Sequence, residues 1–369
     1  MTPSFRLASL VASTALLALT AQAQSLYSIT EIGTFGGNLS NATGINNAGQ
    51  VTGYAVSGVN SHAFLWENGV MTDLGTFGGP RSFGNGINES GQIVGYASVA
   101  GSPSYDHAFL YSAGTKIDLG LFPGGGNTSY ALAINSAGTI VGNATLADNF
   151  TRRAFTYSGG TMTMLGTLGG TKSVATAIND NGLIAGNSTT GVSFNEQAFV
   201  YNGTTMVNLG TFGGNFSFAY GINNAGHVVG QSYTTGNAEQ HAFHFTGEAV
   251  LDLGLLAGGG TQSIAYDINN LGLIVGSATT AGNLDTHAVT FGVEGVVDLN
   301  TFLSPGSGWV LNEALAVNDL GLIVGRGTFN GAQRGFILTP ATAAIPEPST
   351  YALLAAGLAV VAITVRRRR

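Results

Sequence analysis

The hydrophobic positions of this chain come in short runs, and one polar unit breaks each run. Ile45 is followed by Asn46, Asn47, Ala48 and Gly49, and then by Val51. A unit with Asn first and Gly fourth returns at Asn88, Asn135, Asn179, Asn223, Asn269 and Asn318, each with an aliphatic residue before it and one or two after it. Asn at the first and Gly at the fourth position is the signature of a type I β-turn. The Asn carboxamide can bond the main chain two residues on, and Gly takes the left-handed conformation that closes a bulged hairpin. The pattern predicts strand, turn and strand, seven times.

The rest of the chain falls into step. Glycine-rich connectors at 33–37, 75–79, 120–126, 166–170, 210–214 and 254–260, with a degenerate one at 300–308, open the units. The strand before each turn carries small residues: Ala42 and Gly44, Ala131 and Ala133, Ala175 and Ala177, Ala219 and Gly221. Small side chains suit a crowded axis, so this strand is expected to be innermost. A second strand runs through 51–54, 93–96 and 140–143. A third is marked by His62, Ala63 and Phe64 and their equivalents, and a fourth runs through 70–74, 115–119 and 161–165. Phe35, Phe77, Leu168 and Phe212 of the connectors are expected to pack between neighbouring units. Successive turn asparagines stand 42 to 49 residues apart. Four short strands at that period are a propeller blade.

The expected fold class is therefore all-β: a seven-bladed β-propeller of four-stranded blades. Residues 26–33 align with 70–75, a fourth strand, whereas the repeats end at 334–338 on a third strand. The N-terminal strand 27–32 is thus expected to pair into the last blade, beside 322–326 and 336–338. Such closure removes the open sheet edges that invite aggregation.

Composition agrees with many tight bends. Gly is abundant at 57 residues, Pro is scarce at 8, and no three-residue glycine period suggests collagen. There is no cysteine, so disulfides and thiolate metal sites are excluded. Only 8% of residues are charged, against 44% hydrophobic, which excludes a disordered chain.

Both termini carry address signals. Residues 1–23 have Arg6, an apolar core at 7–19, and Ala21 and Ala23 in small-x-small spacing. They are expected to be a secretory signal peptide cleaved between Ala23 and Gln24. The repeat domain is expected at 24–340 and a Pro-rich linker at 341–350. A transmembrane helix with an arginine tail is expected at 351–369. Pro346, Glu347, Pro348 and Ser349, the apolar stretch and the four terminal arginines come in the order of the PEP-CTERM sorting signal of exopolysaccharide-producing Gram-negative bacteria, which this tail closely resembles. The resemblance implies recognition by an exosortase-type transpeptidase. It also implies a transient inner-membrane anchor and a final place in the envelope or at the extracellular surface. Five of the twelve Lys and Arg residues and one of the nineteen acids lie outside residues 24–344. That segment keeps seven basic and eighteen acidic residues, a net of −11. No basic stripe remains, and nucleic acid is excluded as a partner.

The repeat, with Gly, Ile and Asn before the turn and His, Ala and Phe in the third strand, resembles the HAF-repeat family of bacterial extracellular proteins. The resemblance covers residues 26–338 and implies an extracellular protein without assigning an activity. His62, His107, His241 and His287 share one repeat position. They could be metal ligands, but equivalent positions lie far apart around a ring, and Arg153 and Gln197 replace them in two units. The turn asparagines could meet sugar or calcium, yet their spacing is not that of a calcium loop and the turn already explains them. Asp73, Asp118, Asp252 and Asp298 also follow the repeat, whereas an active site is one place. No catalytic, cofactor or metal set is expected. Three functions are weighed: a structural or adhesive envelope or matrix scaffold, a carbohydrate-binding module using Tyr54 and Tyr96, and a glycan-processing enzyme. An irregular pocket is to be sought first at Trp309, Asn312, Glu313 and Arg326.

Overall fold

The turns form as the pattern requires. In the computed structural model, which describes residues 27–191 and 195–341, the Gly49 amide donates to the Asn46 carbonyl at 3.0 Å with Gly49 at φ +77°. Asn46 Oδ1 accepts the Gln50 amide, four residues on, at 3.0 Å. At Asn88, Asn223, Asn269 and Asn318 the same oxygen also accepts the amide two residues on.

Four antiparallel strands surround each turn. In the third sheet they are Ser129–Ile134, Ile140–Thr145, Arg152–Ser158 and Thr161–Met164, hydrogen-bonded in chain order. The same order recurs in the fourth sheet (Gly169–Ile178 to Met206–Gly210), the fifth (Gly213–Ile222 to Val250–Asp252) and the sixth (Ser263–Ile268 to Gly295–Asp298). The first (Ser40–Ile45 to Val70–Asp73) and second (Gly78–Ile87 to Thr115–Gly120) follow it too, joined by one parallel bridge between Ser61 and Arg81. The last sheet is composite. Trp309–Val317, Ile323–Phe329 and Ala332–Pro340 come from the C-terminal end, and Tyr27–Glu31 pairs antiparallel with the third of them. Tyr27 stands opposite Pro340 and Glu31 opposite Phe336.

Three connectors differ from expectation. Of residues 75–79, 166–170 and 210–214 the last glycines belong to strands, with Gly78 opposite Val99, Gly169 opposite Thr190 and Gly213 opposite Thr234. These connectors are short and run straight on into the sheet. An added Cβ at Gly79, Gly170 or Gly214 would come within 2.2–2.7 Å of Ser98, Thr189 or Thr234.

Within each sheet one glycine is fixed by contact. A Cβ at Gly53 would stand 1.9 Å from the Asn41 carbonyl oxygen and 3.0 Å from the Phe64 ring. Gly95, Gly142, Gly186, Gly230, Gly276 and Gly325 meet the equivalent carbonyl at 1.9–2.1 Å. The missing side chain makes room for the third-strand phenylalanines, of which Phe64, Phe109, Phe155, Phe199, Phe243 and Phe336 are fully buried. The core is divided among the junctions between sheets. Val141, Ala154 and Leu165 of the third sheet pack with Ala175, Ile184 and Phe199 of the fourth. Val324 and Ile337 of the seventh pack with Ala42, Val51 and Phe64 of the first. Phe35, Phe77, Leu168 and Phe212 join these clusters.

Polar side chains stitch the same junctions. Ser82 Oγ accepts the Ala63 amide of the preceding sheet at 2.9 Å and donates to the Gly75 carbonyl. Ser129, Ser173, Ser217 and Ser263 accept the equivalent amides, and Ser40 accepts from Gly335. The turn asparagines add a second stitch. Nδ2 of Asn46 donates to the Asn88 carbonyl, Asn88 to Asn135, and so on to Asn318, which donates to Asn46, all at 2.9–3.2 Å. All seven asparagines are only 2–6% exposed.

One core position breaks the pattern. Lys116 stands where Met71, Met162 and Met206 pack against the core in other sheets. Its Nζ is buried without a hydrogen-bond partner, 4.8 Å from the centre of the Phe77 ring. Burial pulls the ammonium down to about 8, and Asp73 acts weakly the other way.

Two predictions follow from these contacts. Asn179→Ala strands the Asn223 carbonyl and the Leu183 amide, both partners of the Asn179 carboxamide. It should cost about 2–3 kcal/mol in urea denaturation. Asn179→Asp, which sets an anion against that carbonyl, should cost more at pH 7 than at pH 4. For Lys116 the folded value lies below the unfolded 10.5, so the unfolded chain holds the proton more tightly. The penalty is therefore full below pH 8 and disappears as pH rises past 10.5. Lys116→Met should stabilise by on the order of 1 kcal/mol at pH 7, discounted because the lysine as a whole is only half-buried although its Nζ is covered. That gain should shrink steadily between pH 8 and 10.5.

Candidate functional site

First strands from all seven sheets line a channel. Its midsection, about 210 Å³, is walled by Thr43, Asn85, Thr176, Tyr220, Tyr266 and Asp267 among others. At the turn end lies a cavity of about 160 Å³ edged by the residues that follow each turn asparagine. These edge residues bond one another. The Asp180 amide donates to Asn224 Oδ1, the Asn224 amide to Asn270 Oδ1, the Asn270 amide to Asp319 Oδ1, and the Asp319 amide to Asn47 Oδ1, each at 2.8–2.9 Å. The asparagines themselves are thus consumed by turn and junction bonds and present no vacant donor set.

Asp267 was not foreseen. Six sheets place Gly44, Gly86, Ala133, Ala177, Gly221 or Ala316 at this position, and the sixth places a carboxylate there. Its Oδ2 accepts the Val317 amide of the seventh sheet and its Oδ1 accepts the Ile268 amide, both at 2.9 Å. Burial pushes the carboxyl up to about 6 in spite of those two amides. The signal was legible in the repeat as the single acid in a small-residue column.

The histidines do not converge. Nδ1 of His62, His107, His241 and His287 lies 2.6–2.8 Å from Oδ2 of Asp73, Asp118, Asp252 and Asp298, each pair within its own sheet. The first three aspartates also accept the amide of Gly75, Gly120 or Gly254 through Oδ1. Where the fourth sheet has Gln197, its partner is Asn208. The seventh has Arg334, and its partner is Glu31 of the N-terminal strand, 2.9 Å away. In six sheets the polar pair changes as a unit and ties the third strand to the fourth; in the third sheet Met164 stands at the aspartate position and Arg153 Nη1 is buried without a hydrogen-bond partner.

Non-repeating residues gather away from the turns. The first- and second-strand residues paired beside the fixed glycine are different in every sheet. They are Asn41 with Tyr54, Phe83 with Tyr96, Tyr130 with Asn143, Val174 with Asn187, Phe218 with Gln231, Ile264 with Ser277, and Glu313 with Arg326. Tyr54, Phe83, Tyr96 and Tyr130 form a half-buried strip with ring centres 4.7–4.9 Å apart. Burial and the Asp106 carboxylate push the Tyr96 phenol up to about 12. Arg81 holds Asp106 through two hydrogen bonds.

Asn312, Glu313 and Arg326 line one cleft of about 400 Å³ between the sixth and seventh sheets, with Asp285, Thr328 and Gln333. Arg326 Nη2 donates to Glu313 Oε1 at 2.7 Å, which raises the guanidinium further. Trp309 stands apart, stacked on Phe329 with ring centres 4.9 Å apart and edge-on to Phe336. Among the described residues no group of three or more His, Asp or Glu could hold a metal ion, and no helix is long and apolar enough to cross a membrane. Ala23, Gln24, Pro346, Glu347, Pro348, Ser349 and the apolar C-terminal stretch lie outside the described residues.

Residues 344–369 match the PEP-CTERM protein-sorting motif. This motif is the substrate signal of exosortases and marks an exported chain sorted to the envelope. No curated protein matches the chain. Among solved structures, the β-propeller domain of the trilobed protease from Pyrococcus furiosus matches with a TM-score of 0.52 at 11% identity, covering 70% of this chain and 80% of that one. A gluconolactonase from Xanthomonas campestris gives 0.40 at 9% identity over 87% and 93%. A sialidase from Trypanosoma rangeli gives 0.42 at 10% identity over 85% and 55%. The first likeness shows a β-propeller fold and carries no activity.

The paired reading of the histidines has a direct check. His62→Gln combined with Asp73→Asn, the pairing of the fourth sheet, should shift stability by less than about 1 kcal/mol in chemical denaturation. Asp73→Leu also strands the Gly75 amide and should cost about 1–2 kcal/mol.

Proposed function

We propose that this protein is a non-enzymatic, exported β-propeller of HAF-type repeats, structural or adhesive in the envelope or the extracellular polysaccharide matrix. The observation that carries the reading is the sorting motif at 344–369 behind the repeated sheets. In this reading the seven sheets are blades of a closed ring, and strand Tyr27–Glu31 completes the last one. A hydrophobic C-terminal segment anchors the chain in the inner membrane until an exosortase cuts near Pro346 and Pro348. The titratable groups favour a scaffold over a catalyst. The histidine–aspartate pairs recur in four sheets as cross-strand ties, and the net charge of −11 on residues 24–344 suits an exported, soluble surface. A carbohydrate-binding role is the second reading, favoured by the cross-strand pair whose combination differs in every sheet.

Expression in a host that carries an exosortase tests the main reading. The surface form should lack residues 351–369 by mass spectrometry. Pro346→Ala with Glu347→Ala should leave an uncut chain in the inner membrane. A surface form that keeps its arginine tail, or a double variant sorted as efficiently as the parent, would overturn it.

A further inference from the structure

Seven sheets built alike meet the same structural demands, so a position that changes in each of them is free of those demands. The cross-strand pair beside the fixed glycine is such a position. Six of its seven pairs are uncharged, and the seventh is the ion pair Glu313–Arg326.

The seventh sheet also lacks the stitch that seals the other junctions. Leu311, opposite Gly327, holds the register position of the bridging serine in the other six sheets, its amide and carbonyl bond the Asn300 carboxamide instead, and the strand bulges at Asn312. Asn312 Nδ2 donates to the Thr286 carbonyl, and Thr328 Oγ1 donates to Asn312 Oδ1. Beside that bulge, between the two sheets, lies the cleft of about 400 Å³. A second cavity of about 190 Å³, walled in part by Tyr266, shares Thr286 and Glu313 with it.

The groups in the cleft have bonding capacity to spare. Arg326 uses one nitrogen on Glu313, and its Nε and Nη1 bond nothing among the described residues. Glu313 Oε2 and the side chains of Asp285 and Gln333 are likewise without partners there. The charge balance selects the ligand. Two carboxylates face one guanidinium on a chain that is already acidic, which disfavours anions. The guanidinium and the amide donors disfavour a simple cation. Adjacent hydroxyls satisfy both halves of an ion pair, because each can donate to a carboxylate and accept from a guanidinium.

We infer that the cleft between the sixth and seventh sheets binds a neutral oligosaccharide, with neighbouring hydroxyls donating to Glu313 and accepting from Arg326. Tyr266 borders the deeper sugar. Tyr54 is the electrostatic neighbour of Arg326 in the first sheet and starts the aromatic strip that continues through Phe83 and Tyr96. The choice of a glycan among polyols rests on the surface placement proposed above.

Calorimetric titration of the purified processed chain tests the site without depending on export, so its failure is separable from failure of the sorting experiment. Cello-, xylo- and malto-oligosaccharides serve as neutral probes and an alginate oligomer as the uronic acid probe. At least one neutral probe should bind with a Kd in the micromolar to millimolar range, more tightly than the alginate oligomer. Glu313→Gln with Arg326→Gln, which exchanges ions for amides as at Gln197 and Asn208, should weaken it at least about tenfold. Gln333→Ala, which breaks no side-chain hydrogen bond, should weaken it severalfold, and His62→Gln should leave it unchanged. No binding by any neutral probe, tighter binding of alginate, or binding indifferent to both cleft variants would overturn the inference. Circular dichroism of each variant confirms that a loss comes from the cleft and not from unfolding.

Discussion

Seven buried carboxamides, each donating to the main chain of the next repeat, are the constraint on which this architecture rests. One side chain does two jobs. Its oxygen accepts the amide that closes its own turn, and its nitrogen reaches the neighbouring turn. Glutamine would be too long for the first job, and aspartate would lack the donor for the second. The circuit returns from Asn318 to Asn46, so the two ends of the repeat array meet at the same bond that links every interior pair. Each such bond is modest alone, but removing one leaves two buried groups unpaired.

Repetition sets what can and cannot vary. The glycine answers a contact that recurs in all seven sheets, and the small residue, the buried phenylalanine and the serine answer contacts that recur in six. Departures therefore stand out as local events with local consequences. Lys116 puts an ammonium in a methionine position and leaves it against the Phe77 ring. Asp267 puts a carboxylate on the channel wall and ties the sixth sheet to the seventh. Asn312 is the bulged residue of the seventh sheet's first strand and borders a cleft.

The polar pair between third and fourth strands shows the same logic in a variable form. His with Asp, Gln with Asn, and Arg with Glu are three solutions to one demand, a donor facing an acceptor across two strands. The Arg–Glu version joins residues 303 positions apart in sequence. Local pairing chemistry thus reaches across the chain ends.

The chain by itself determined the period, the strand order and the pairing of its N-terminal segment with the last sheet, because each follows from nearest-neighbour patterns of turn and alternation. It also marked Asn312, Glu313 and Arg326 as departures, since a repeat makes its exceptions visible. Only the tertiary structure decided which exceptions share a space. Trp309 left the group because its ring found Phe329 and Phe336, while Asp285, Gln333 and Thr328 entered from neighbouring strands and loops. The second role of the turn asparagines was equally hidden. A turn is a property of four consecutive residues, but a bond to the next turn spans 42 to 49 residues and exists only once the sheets are packed side by side.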